Sequence, residues 1–63
     1  MLEYCKTILS KVSFDGKLFE KELKKAIKKL ANQELEHLRQ WCYEKFSHLY
    51  LSILNQNFSV QAG

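Results

Sequence analysis

Apolar residues recur along this chain at spacings of three and four, the period of an amphipathic helix. Leu2, Cys5, Leu9 and Val12, flanked by Tyr4 and Ile8, predict a first helix over residues 2–12. Phe19, Leu23, Ala26, Ile27 and Leu30 share one side of a second helix over 16–30. Leu35, Leu38, Cys42, Phe46, Leu49 and Ile53 fall within about 80° of arc on a helical wheel and predict a third helix over 33–55. No strand is expected.

Two breaks separate these segments. Ser13-Phe14-Asp15-Gly16 is the stronger, and Asp15 is placed to cap the second helix, since its carboxylate can accept from free backbone N–H groups there. Ala31-Asn32 is the weaker. Asn32 can cap, and Glu34 and Glu36 follow in the first turn, where the helix dipole favours acids. Glycine occurs only at Gly16 and Gly63 and proline is absent, so long helices are allowed and loops are few.

Short connections join antiparallel neighbours. The expected fold is therefore all-α, an up-down-up three-helix bundle over 1–55, followed by a polar, fraying tail over 56–63 relieved by Phe58 and Val60. At 1.5 Å per residue the helices measure about 16, 22 and 34 Å, so the third overhangs its partners by roughly two turns. The expected core includes Ile8, Leu9, Phe19, Leu23, Ile27, Leu38, Cys42, Phe46 and Leu49.

Sixty-three residues make one small domain. At 46% hydrophobic and 27% charged, the composition is globular. No wholly apolar run exceeds three residues, as in Leu49-Tyr50-Leu51, far short of a membrane span. The first residues lack the apolar region of a signal peptide. Two cysteines, Cys5 and Cys42, do not make a disulfide framework, and both fall on apolar faces as small hydrophobes. A reducing, cytoplasmic setting is expected.

The net charge of +3 is unevenly distributed: residues 1–15 sum to 0, 16–31 to +4 and 32–63 to −1. Counted from Leu23, Lys17, Lys21, Lys24, Lys25, Lys28 and Lys29 all lie between about 100° and 240° on the wheel of the second helix. Such a face could track phosphates through counterion release. The plainer reading is a solvated face, since no aromatic, Arg, Asn or Gln interleaves the lysines to touch bases. Binding to nucleic acid or another anionic surface would then be weak and independent of sequence. Use of the third helix as a recognition helix is disfavoured by its net negative segment.

Phe14-Asp15-Gly16-Lys17-Leu18-Phe19-Glu20-Lys21-Glu22-Leu23-Lys24-Lys25-Ala26 and Trp41-Cys42-Tyr43-Glu44-Lys45-Phe46 resemble segments of short uncharacterised bacterial all-helical proteins. The resemblance covers roughly residues 4–46. It implies a helical fold and carries over no functional residue.

His37, Trp41, Glu44 and His48 line one edge of the third helix, but the histidines are about 16 Å apart along its axis, too far to share an ion. The earlier helices offer no histidine, and the edge reads as a polar rim around a half-buried tryptophan. With no triad, phosphate loop or metal set, the chain is expected to be non-catalytic, without cofactor or small-molecule substrate. A second stripe on the third helix, Tyr43, Ser47, Tyr50 and Leu54 with Leu51 beside it, lies about 110° from the core face. Left on an overhang, it would form an apolar patch of the kind that soluble monomers avoid. The expected function is a small interaction module, binding a second copy of itself or another protein through this stripe.

Overall fold

The computed structural model describes the backbone of residues 1–62 and the side chains of residues 1–58. Its elements are α1 (Leu2–Lys11), α2 (Gly16–Lys29) and α3 (Asn32–Ala62), with no strand among the described residues. The first break forms as the sequence dictates. Asp15 adopts an extended backbone at the N-cap, and its carboxylate accepts from the N–H groups of Lys17 at 2.9 Å and Leu18 at 3.3 Å. At the second break Leu30 is extended, and the first turn of α3 closes on the carbonyl of Ala31 rather than on Asn32.

The main departure from the sequence expectation lies inside α3. Tyr50 leaves helical geometry, with φ −130° and ψ 34°. A straight helix of 31 residues would be about 46 Å long, yet the longest dimension of the molecule is 27 Å. The helix folds back at Tyr50, dividing α3 into an N-terminal arm, 32–49, and a C-terminal arm, 51–62. Contacts between the arms record the reversal: the rings of Tyr43 and Phe58 are 6.1 Å apart, and Tyr43 Oη donates to Asn55 Oδ1 at 2.6 Å.

This bend replaces the expected overhang and redistributes the core. Leu9, Phe19, Leu23, Ile27, Leu38, Cys42 and Phe46 are buried as expected, joined by Cys5, Ala26 and Leu30. Ile8 is only half-buried. Leu49 is 60% exposed, because the helix axis turns away immediately after it. Its place is taken by Leu54 and Phe58, which the reversed arm brings to the core at 0% and 4% exposure. The segment expected to fray from residue 56 is helical through Ala62. Val60 and Gly63, also assigned to that tail, lie outside the described side chains.

Aromatic rings tie the elements together. Phe19 of α2 meets Phe46 edge-on at 5.0 Å and stacks on Tyr50 at 4.7 Å, and Phe46 meets Trp41 edge-on at 5.4 Å. Such pairs add to the stabilisation that comes from their burial. The start of α2 approaches the bend closely: a Cβ on Gly16 would lie 3.4 Å from Tyr50 Cε1 and 3.9 Å from Ile53 Cδ1.

The reversal makes two leucines five residues apart respond differently to truncation. Leu54→Ala removes a fully buried side chain and should cost about 2–5 kcal/mol, whereas Leu49→Ala should stay within about 0.5 kcal/mol. Urea unfolding measures both, and equal losses would contradict the bend.

Candidate functional site

The bend determines what becomes of the expected contact stripe. Tyr50 stacks on Phe19, and its hydroxyl donates to the carbonyl of Ser13 in the α1–α2 connection. Leu54 is wholly buried. Tyr43 is half-buried between Phe58 and Arg39, whose guanidinium carbon lies 5.7 Å from the ring centre. Ser47 is half-buried, and Leu51 alone of the five is classed as exposed, at 49%. Tyr50 and Leu54 therefore face the chain's own core, because the segment that would have carried them outward turns back onto it.

Other large apolar side chains occupy the outside. Phe14 is 80% exposed, Leu49 60% and Leu18 40%. Leu51 is exposed too, at 49%, and so are Met1 and Tyr4 at the start of α1, at 62% each. Ser13 and Gly16 touch Tyr50, so the connection carrying Phe14 lies against the bend, where Leu49 and Leu51 flank Tyr50. Leu18 stands in the first turn of α2, directly after that connection. Two of these exposures were signalled in the sequence. Phe14 is an aromatic in a turn that supplies capping groups and no core position, and Leu18 falls among the lysines on the wheel of α2.

All six lysines of the α2 face are exposed, as the periodicity requires. Lys24 pairs with Glu20 at 4.0 Å and Lys25 with Glu22 at 3.6 Å. Among the described residues, Lys17, Lys21, Lys28 and Lys29 have no carboxylate within ion-pair distance. Exposed pairs of this kind contribute little to stability, so the positive face is left for solvent or a partner.

His37 and His48 are exposed, Trp41 is half-buried, and no group of three metal-ligating side chains occurs among the described residues. A groove between α1 and α2, lined by Tyr4, Cys5, Ile8, Glu22, Lys25, Ala26 and Lys29, has a cavity volume of about 30 Å³. That holds about one or two waters, against several hundred Å³ for a typical small-molecule pocket. No polar or charged residue is buried among the described residues.

No protein-family model, curated protein or solved structure matches this chain.

Cys5 and Cys42 are buried free thiols. Burial pushes the Cys42 thiol up from its ordinary 9.0 to about 12, because desolvation disfavours the thiolate. The folded state therefore keeps a proton that the unfolded chain releases above 9.0, and the stability this contributes is present below 9.0 and is lost as pH climbs towards about 12. At about pH 8.5, near the ordinary thiol value, an aromatic disulfide reagent should label Cys42 only through transient opening of the fold, far more slowly than in denaturant. Fast labelling of the folded chain would show that the thiol is accessible.

Proposed function

We propose that this chain is a small, non-catalytic helical module that works by protein–protein contact and self-associates at the end where α3 bends. The observation that carries the reading is the exposure of Phe14, Leu18, Leu49 and Leu51 in the segments that meet at the bend, beside which only Met1 and Tyr4 at the start of α1 are exposed large apolar side chains among the described residues. Exposed apolar clusters on small soluble proteins mark contact surfaces, and a two-fold pairing of identical clusters is the commonest closed arrangement. In this reading α1, α2 and the first arm of α3 run up, down and up, and the second arm returns alongside them. Short connections support that order, as does the contact of Phe19 with Phe46 one turn on from that of Gly16 with Tyr50. The setting is cytoplasmic, which suits two free thiols. No helix among the described residues is long and apolar enough to cross a membrane.

Sedimentation equilibrium tests this reading. The wild-type chain should show a concentration-dependent rise above 7.5 kDa, and Phe14→Glu/Leu49→Glu should abolish the rise while leaving helical circular dichroism unchanged. A wild-type chain that stays at monomer mass at high micromolar concentration would overturn self-association.

A second reading is supported by the lysine face, where four of six cations make no ion pair among the described residues. It is a weak, sequence-independent affinity for polyanions. Binding to a random DNA duplex should fall steeply with salt, and Lys24→Glu/Lys28→Glu should remove it. Tight binding to one sequence at physiological salt would contradict it.

A further inference from the structure

The bend at Tyr50 has no local cause. Kinks in helices arise at proline, at Gly/Ser pairs, at π-bulges or where a group inserts into the backbone ladder. Here the flanking residues are Leu49 and Leu51, proline is absent, and no glycine lies between Gly16 and Gly63. Leucine is a strong helix former, and the apolar periodicity runs unbroken through this region. Tertiary contacts hold the reversal: the Tyr50 ring on Phe19, its hydroxyl on the Ser13 carbonyl, and Leu54 and Phe58 in the core. Two further hydrogen bonds pin the arm, Tyr43 Oη to Asn55 Oδ1 and Asn57 Nδ2 to Glu20 Oε2, the latter at 3.4 Å.

From this conflict between a straight local preference and a bent tertiary one, we infer that the chain exchanges its C-terminal arm with a second copy. In the exchanged form, α3 is one continuous helix of about 46 Å, and residues 51–58 of each copy fill the site on the other that the same residues fill in the single chain. The occupant of that site is thus already on view, because its fit is the fit of the chain's own arm. Straightening one chain alone would uncover Leu54, Phe58 and the surface beneath them. In a symmetric pair each of these contacts is remade between chains, and Tyr50 returns to helical geometry. The opposing terms are the entropy of association and loss of the Tyr50–Ser13 hydrogen bond, which makes the exchange dependent on concentration. Swapping of an identical element across a short hinge is a known low-cost route to dimers.

This inference goes beyond the self-association reading: the partner is still a second copy, but exchange of the arm replaces contact at the bend, and one experiment separates their failures. Glu20→Cys/Asn57→Cys places a reactive pair where α2 meets the arm. The native thiols are buried and do not compete. The folded variant is treated at high micromolar concentration with a short bis-maleimide and run on a denaturing gel, beside sedimentation of the same sample and of the unmodified chain. Arm exchange predicts a sedimenting dimer whose 20–57 bridge joins two chains, running at twice 7.5 kDa. A sedimenting dimer whose bridge closes within each chain overturns the exchange and leaves self-association at the bend end intact. A monomer throughout, in the unmodified chain as well, overturns both. Tyr50→Phe keeps the ring and removes the hydroxyl that holds the bend, so it should raise the dimer fraction several-fold at fixed concentration. An unchanged or reduced fraction counts against the hinge.

Discussion

The side chain of Tyr50 links the two halves of the fold. Its ring covers Phe19 and its hydroxyl reaches back to Ser13, so one residue joins the bend of α3 to the connection between α1 and α2. The reversal of the last arm is anchored there, and with it the burial of Leu54 and Phe58. Without that anchor the third helix would project past its partners and two core positions would be empty. The exposure of Leu49 and Leu51 has the same origin, because the bend that turns Leu54 inward leaves them outside, on either side of the residue that Ser13 and Gly16 touch.

Much of this could be read from the order of residues. Helix starts and stops fell within a residue or so where a capping group or glycine set them, as at Asp15 and Gly16. The faces of α1 and α2 followed from spacing, since a three-turn helix with apolar residues on one side has one way to bury them. The bend could not be read in this way. Leu49-Tyr50-Leu51 contains none of the residues that interrupt a helix through their own backbone, and the contacts that turn the chain come from residues more than thirty positions away, Phe19 and Ser13. A periodicity argument sees neighbours in sequence and extends the helix. Within the candidate stripe, Leu54 is buried and Tyr50 is packed on Phe19 for that reason, while Leu51 stays exposed; the fact missing from the sequence was that the chain itself would cover part of the stripe.

Charge and packing divide the labour on α2. One side carries Phe19, Leu23, Ala26 and Ile27 into the core and the other carries six lysines into water. The two paired glutamates, Glu20 and Glu22, sit between these sides, and Glu20 also meets Asn57 of the returning arm. This helix therefore packs against both α1 and α3 while keeping a positive surface that only Leu18 interrupts.

Among the described residues the interior contains no buried polar or charged residue, and the two thiols are its least hydrocarbon-like members. Hydrogen bonds that would dictate which apolar side chain sits where are absent from it. Exchanges of similar volume among Leu, Ile, Met and Phe are tolerated in such interiors. Among the described residues, the side-chain bonds that reach across the fold, from Tyr50, Tyr43 and Asn57, all involve the bend or the returning arm. Volume-conserving changes in the middle of the molecule therefore leave its arrangement intact, whereas changes at Tyr43, Tyr50 or Asn57 remove bonds that tie specific places together, so the polar margin and not the apolar interior selects which fold is kept.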